Sequence, residues 1–256
     1  KILIIGKGSS GKRFFNKLKN KYDVLSVSAK SFKKSLLKSL KFELIIISSP
    51  SSFHLDHLLK CQKYSNSFLI EKPLTNNFEN LKKIKYLKKK NIFINKKLRE
   101  LNLVKKFKKI LNEIKDKGKL QFCNVYCGSN VTNWRKKKLS QSVSYSKKLG
   151  GGCLLELSHE LDLIYKFLGT PNKIYSISKK ISKKTKDVED IFLSHMYFKK
   201  RDILLTLNLN FLDNYEKRYF ELNFKNCNVI LDITNHQIII NRGKKKKIIS
   251  FPNDID

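Results

Sequence analysis

The chain has 256 residues, 41% of them hydrophobic, which places it among ordinary globular proteins of one or two domains with a real buried core. Its net charge of +34 rests on 55 basic residues against 21 acids, yet only Arg13, Arg99, Arg135, Arg201, Arg218 and Arg242 are arginines, and lysines are spread over every segment. A nucleic-acid binder concentrates basic residues on one face and favours arginine for bidentate contacts, so the charge reads as a compositional bias on solvated positions and argues against a specific nucleic-acid partner.

In chain order, residues 1–95 alternate strand and helix signals. The expected elements are a strand Ile2 to Ile5, a helix from Gly11, a strand Asp23 to Val27, a helix near Ser31 to Leu40, a strand Leu44 to Ile47 and a helix Ser52 to Tyr64. A strand Phe68 to Ile70, a helix Asn76 to Lys90 and a strand Ile92 to Ile94 follow. Short continuous apolar strands between amphipathic helices predict a doubly wound parallel sheet, α/β in class. A helix Leu98 to Lys115, a strand-like stretch Leu120 to Tyr126, a polar loop over 128–148 and a helix Cys153 to Leu168 come next. The remainder shows period-two strands: Ile174 to Ile181, Ile191 to Phe198, Ile203 to Phe211, Tyr219 to Phe224, Val229 to Ile233 and Gln237 to Ile240. This half, residues 96–256, reads as an α+β domain with a mostly antiparallel open sheet. The Lys244 to Lys247 run reads as an exposed turn or edge.

The first strand runs into Gly6-Lys7-Gly8-Ser9-Ser10-Gly11. In a GxGxxG turn the first glycine makes the tight strand-to-helix bend, the second lets backbone approach a pyrophosphate, and the third packs helix on strand. The phosphates then sit on free N–H groups at a helix N-terminus. About twenty residues on, where an acid would hold the ribose hydroxyls of NAD, the chain offers Ser26, Ser28 and Lys30. A hydroxyl and a cation suit a ribose 2′-phosphate, which favours NADP(H) over NAD(H).

The dinucleotide turn, the run Ser49-Pro50-Ser51-Ser52-Phe53-His54, the triplet Glu71-Lys72-Pro73 and the segment Leu149 to Gly169 with its triple glycine, in that order, resemble the Gfo/Idh/MocA family of sugar and cyclitol oxidoreductases. Asn133-Trp134-Arg135 and Tyr145-Ser146 resemble its branch associated with surface polysaccharide synthesis. The resemblance implies a Rossmann domain over 1–95 that binds NAD(P) and a substrate-binding and dimerisation domain over 96–256. It implies hydride transfer to or from a hydroxyl or keto carbon of a sugar or nucleotide sugar. By motif, Lys72 stands beside the nicotinamide and His159 serves in proton transfer. These roles suit their chemistry, because one proton must move as hydride moves and a cation can polarise the reacting oxygen. Cofactor contacts are expected from Gly6, Gly8, Ser9, Ser10, Gly11, Ser28, Lys30, Ser49, Pro50, His54, Glu71 and Lys72. Substrate contacts are expected from Glu156, Asp162, Arg99, Trp134, Arg135 and Tyr145. The resemblance also implies a homo-oligomer formed through the open sheet of the second domain.

The chain departs from the family in three places. Glu156 stands three residues before His159 where an aspartate usually stands four before; at that spacing the pair still shares a helix face. Around Asn95 to Glu100 only Arg99 is retained of a substrate-wall motif. The chain stops at Asp256 where relatives usually continue, which reads as a shortened member or a fragment, and its start at Lys1 leaves room for initial residues. These departures motivate an alternative, a non-catalytic dinucleotide-binding sensor or partner-binding protein of the same fold. His57, His195 and His236 read as structural or exposed. Cys61, Cys123, Cys127, Cys153 and Cys227 lack CxxC spacing; Cys123 and Cys127 read as small core residues on one face, and no metal is expected. Free thiols fit a reducing cytoplasm, and with no apolar run of spanning length and no signal peptide no membrane association is expected.

Overall fold

The computed structural model describes residues 1–33, 37, 40–87, 90–115, 118–134, 142–183 and 185–253. It divides into two compact units, one of Lys1–Asn95 with Lys148–Gly150 and one of Lys96–Lys147 with Gly151–Asp256.

The first unit is a five-stranded parallel sheet of β1 (Ile2–Ile5), β2 (Val24–Val27), β3 (Leu44–Ile47), β4 (Ser67–Glu71) and β5 (Asn91–Asn95), in the order β2-β1-β3-β4-β5. Its central strands β1 and β3 are continuous Ile and Leu because both faces are covered there. Leu3, Ile5, Ile45, Ile47, Phe68 and Ile70 point to one face and pack with Leu55 and Leu58. Ile2, Ile4 and Ile46 point to the other and pack with Phe14, Phe15 and Leu18. Helix α1 (Ser9–Leu18) therefore covers one face and α2 (His54–Cys61) the opposite one. Strand order reverses at β1 and β3, so the crevice for a ligand lies at their carboxyl ends.

Half of the expected helix near Ser31 to Leu40 lies outside the described residues, and one other expected helix of this unit differs. The one over Asn76 to Lys90 is a 3-10 helix, Phe78–Leu87. Its apolar residues Leu81, Ile84 and Leu87 recur every three positions, the period of a 3-10 turn rather than an α-helix.

The second unit is built on an eight-stranded sheet. Its strands are β6 (Leu120–Gly128), β7 (Lys173–Lys179), β8 (Ile191–Phe198), β9 (Ile203–Asn210), β10 (Lys217–Phe224), β11 (Cys227–Asp232), β12 (Gln237–Arg242) and β13 (Lys245–Ser250). The order is β13-β12-β11-β10-β6-β9-β8-β7, antiparallel throughout except for β6 beside β9. Of the Lys244 to Lys247 run, Lys244 thus lies in a turn and Lys245 to Lys247 in the edge strand β13. Alternate residues, among them Cys123, Val125, Cys127, Leu205, Leu207, Phe220 and Leu222, form the core with α3 (Asn102–Lys115), α4 (Cys153–Glu156) and α5 (His159–Leu168).

Both expected helices of this unit are interrupted. Leu98 sits in a 3-10 turn, Lys97–Glu100, and Leu101 at ψ 134° leaves the helical region before α3 begins at Asn102, a residue favoured at helix starts. The chain also breaks between α4 and α5, where the Ser158 hydroxyl donates to the Leu155 carbonyl at 2.9 Å and competes with the helical ladder. Glu156 therefore ends one helix and His159 begins the next. In the core, Glu160 is fully buried and accepts from Arg218 Nε at 2.6 Å. The second Glu160 oxygen is buried and has no hydrogen-bond partner among the described residues.

Candidate active site

In the first unit the parallel strands deliver the sequence motifs to one edge. Gly6 follows β1, Ser28 follows β2, Ser48 and Ser49 follow β3, and Lys72 follows β4. The glycine turn is tight for steric reasons that can be read atom by atom. Gly6 has φ +120°, and a Cβ there would lie 2.5 Å from the Ser48 carbonyl oxygen. A Cβ on Gly11 would lie 1.8 Å from the Gly6 carbonyl oxygen. Gly8 differs, since a Cβ there meets nothing within 4 Å, and no side chain caps the start of α1. Open space over an uncapped helix N-terminus fits the pyrophosphate of a dinucleotide.

The lysine turn is tied to that helix. Ser10 Oγ donates to Glu71 Oε1 at 2.6 Å, and Asn95 Nδ2 donates to the same oxygen at 3.0 Å. On its other side the Pro73 carbonyl lies 2.7 Å from His54 Nδ1, while His54 Nε2 lies 2.7 Å from the Ser49 carbonyl. The Lys72–Pro73 peptide is cis. Lys72 is half-buried between these anchors. His54 is therefore buried and bonded inward at both nitrogens. Burial lowers its pKa, although both carbonyls favour the protonated ring.

His57, read from sequence as structural or exposed, is buried. Its Nδ1 lies 3.0 Å from Ser49 Oγ, and its ring packs on Phe32 and Phe53. Burial brings its pKa down to about 4. It fixes the Ser49 side chain as His54 fixes the Ser49 carbonyl, a long-range duty that nothing in its sequence neighbourhood signals. Ser28 is half-buried and Lys30 exposed in the turn after β2. A cavity of about 400 Å³ beside α1 is lined by Lys7, Lys12, Phe15, Asn16 and Ser26.

In the second unit His159 is the half-buried first residue of α5. Glu156 accepts from Ser144 Oγ at 2.9 Å, next to Tyr145 in the 3-10 turn Val143–Tyr145. Asp162 takes Arg99 in a two-point pair, with Nη2 to Oδ1 at 2.7 Å, and also Lys96 at 2.8 Å. Trp134 packs edge-on against Phe211 and donates from Nε1 to Ser129 Oγ at 2.7 Å. Arg135 lies outside the described residues. Among the described residues, no group of His, Cys, Asp and Glu side chains is arranged to hold a metal ion, and no helix is long and apolar enough to cross a membrane.

Residues 19–94 match the model of the Gfo/Idh/MocA oxidoreductase family, NAD-binding Rossmann fold. Most of the first unit is thus similar to a Gfo/Idh/MocA NAD-binding domain. The resemblance read from the motifs is thereby borne out, and solved structures extend the likeness of fold over both units. Biliverdin reductase from Synechocystis sp. PCC 6803, in complex with biliverdin and NADP+, is 12% identical with a TM-score of 0.80 and covers 99% of this chain and 85% of its own. The WlbA dehydrogenase from Bordetella pertussis, in complex with NADH and UDP-GlcNAcA, is 13% identical with a TM-score of 0.76 and covers 90% and 78%. The myo-inositol 2-dehydrogenase from Lactobacillus plantarum is 17% identical with a TM-score of 0.75 and covers 97% and 81%. Comparison with curated proteins by sequence finds no match. The family is one of NAD-binding oxidoreductases, and these neighbours are a reductase and two dehydrogenases.

Proposed function

We propose that this protein is an NAD(P)-dependent oxidoreductase acting on a hydroxyl or keto carbon of a sugar or nucleotide sugar, within surface polysaccharide synthesis. The observation that carries the reading is the Ser10–Glu71 hydrogen bond, which ties the helix of the phosphate turn to the residue before Lys72. That tether holds the lysine turn against the helix whose start would bind the phosphates. The dinucleotide, when bound, would exchange hydride with the substrate carbon. Lys72 then holds and polarises the substrate oxygen where negative charge develops. His159 takes the hydroxyl proton in the oxidative direction and returns it in the reductive one. Gly6, Gly8, Ser9, Ser10 and Gly11 form the phosphate turn, with Ser49, Pro50 and His54 shaping the adjoining edge. Glu71 acts through Ser10 and Asn95 as a positioning residue. The Arg99–Asp162 pair and Glu156, with Trp134, Arg135 and Tyr145, belong to the sugar side of the site.

NADP(H) is the preferred cofactor in this reading. Ser28 and Lys30 stand where an acid would select NAD, and Lys7, Lys12 and Ser26 line the adjoining cavity, whose lining among the described residues has no carboxylate. The nucleotide sugar bound by the WlbA neighbour supports the substrate class. A second copy of the chain fits the open face of the eight-stranded sheet, where Phe122, Leu193 and Leu204 are exposed on one side. The five free cysteines, four of them buried, suit a reducing compartment such as the cytoplasm.

Lys72→Met tests the reading. Reduced-cofactor titration should change by no more than a few-fold while turnover falls by roughly a hundredfold or more, the scale of losing a transition-state electrostatic donor. His159→Asn should do the same and flatten the pH profile of kcat/KM. Full turnover in either variant removes that residue from the mechanism. Tight NADPH binding with no turnover on any sugar favours the sensor alternative.

A further inference from the structure

The second unit holds a cavity of about 340 Å³ that none of the roles above uses. It lies among α3, the C-terminal turn of α5, the start of β6 and β10. Lys166 in its wall stands seven residues past His159, about two helical turns or roughly 10 Å along α5. The floor is apolar, formed by Leu111, Phe167, Leu222 and Phe224, all buried. Lys108, Lys119, Lys166 and Arg201 line the cavity as well, and among the described residues the lining has no acid. A second cavity shares Lys166, Phe167, Leu168 and Arg201, and among the described residues it too has no acid in its lining.

The cations are not equivalent. Lys119 pairs with Asp202 at 3.2 Å, and Arg99 in the second cavity is held by Asp162. Among the described residues, Lys108, Lys166 and Arg201 have no salt-bridge partner. Arg201 is half-buried, and its backbone N–H is fixed to the Phe198 carbonyl at 3.1 Å in the turn between β8 and β9, so its position is set by the fold. Lys166 is half-buried, and its pKa is lowered by desolvation first and then by Arg99 and Lys108, with Glu100 and Asp162 acting in the opposite sense. Lys108 is exposed, and Lys166 Nζ donates to the Arg99 carbonyl at 3.5 Å, a bond that leaves its charge unneutralised. Half-buried cations such as Lys166 and Arg201 beside an apolar floor are stabilised by an anion.

We propose that this cavity is a second ligand site for a small organic anion, one with a flat apolar body and a single phosphate or carboxylate group. The guanidinium of Arg201 takes two oxygens of the head group and Lys166 a third contact, while the body lies on Phe167, Leu222 and Phe224. The volume is within the range of small-ligand pockets, and an apolar floor with a few charged groups is their usual composition.

The test is calorimetric titration of the whole chain at physiological salt with naphthyl phosphate, naphthoate, inorganic phosphate and naphthol. Naphthyl phosphate or naphthoate should bind one to one and more tightly than either inorganic phosphate or naphthol, and the tighter of the two names the head group. Arg201→Gln and Lys166→Gln should each weaken that binding roughly ten- to a hundredfold, the scale of a lost charge-assisted hydrogen bond. The exposed pair Lys179→Gln with Lys180→Gln, which also lowers the net charge, should leave it unchanged. Thermal unfolding of each variant checks that the fold persists. The proposal is overturned if neither naphthyl ligand binds, if inorganic phosphate or naphthol binds as well as they do, if the exposed pair weakens binding equally, or if NADPH displaces the ligand.

Discussion

Replacing Gly8 by valine separates what the glycine turn does for the ligand from what it does for the fold. Gly8 has φ −73° and ψ −171°, an extended conformation open to any residue, and a Cβ there meets nothing within 4 Å. A stiffer unfolded chain contributes about 0.4–1 kcal/mol of stability, and the poorer helix cap removes a similar amount. The net change is within about 1 kcal/mol, which moves Tm by about 2–4 °C for a chain of this size. The ligand is affected far more, because the branched side chain fills the space over the free N–H groups at the start of α1. Losing two charge-assisted hydrogen bonds of about 1.5–3 kcal/mol each weakens dinucleotide binding by roughly a hundred- to ten-thousandfold. Gly11→Ala is the opposite case, since its Cβ would sit 1.8 Å from a backbone oxygen, and it should fail by unfolding. Thermal unfolding beside NADPH and NADH fluorescence titrations of the three proteins reads both quantities. Wild-type NADPH affinity in Gly8→Val, or an unchanged Tm in Gly11→Ala, would refute the reasoning.

Acid should weaken the first unit through His57, whose pKa is about 4 when folded against an ordinary 6.5. Above pH 6.5 the ring is neutral folded and unfolded; as pH falls from 6.5 towards 4 only the unfolded chain takes the proton, so about 3 kcal/mol of stability is lost over that window. His57→Gln should make the fall of denaturant-measured stability across it shallower, leaving the part that buried His54 contributes in the same direction, and an unchanged slope contradicts the assignment. In the second unit, Arg218→Met strands the buried Glu160 carboxylate and should cost about 3–5 kcal/mol in urea unfolding, most of it recovered by adding Glu160→Leu. An Arg218→Met variant as stable as the parent would show that the pair is not coupled. DNA binding should be weak, indifferent to sequence and lost steeply with salt, while NADPH binding through backbone N–H groups survives moderate salt. Tight, sequence-selective DNA binding at physiological salt would promote a nucleic-acid role.

What was legible in the sequence was local. The Ile-rich strands of the parallel sheet announced burial on both faces, and the glycine spacing announced its turn because the positive φ of Gly6 and the clash of a Gly11 Cβ with the Gly6 carbonyl are local, whereas the Ser48 carbonyl against Gly6 comes from a distant strand. The alternating strands from Ile191 onward were equally plain, since one face had to be apolar to cover α3 and α5. The anchors of the candidate site were not legible, because they join residues far apart in the chain: Ser10 to Glu71, His54 to Pro73, Arg99 to Asp162. His57 looked ordinary for the same reason, as its partner Ser49 and its aromatic neighbours meet it only after folding. The helix breaks were hidden by continuous apolar periodicity through Leu98 to Lys115 and Cys153 to Leu168. Single polar residues, Asn102 and Ser158, stand at them, and at Ser158 the hydroxyl bonded back to the Leu155 carbonyl competes with the helical ladder.

The most direct test of the oxidoreductase reading is a turnover assay that follows nicotinamide absorbance. The purified chain would be mixed with NADPH or NADP+ and a panel of nucleotide sugars, sugars and cyclitols, with Lys72→Met run in parallel. The account predicts substrate-dependent hydride transfer by the parent protein, and a variant that binds NADPH normally yet turns over at roughly one hundredth of the rate or less. Undiminished turnover by Lys72→Met, or a parent protein that binds no dinucleotide at all, would contradict it.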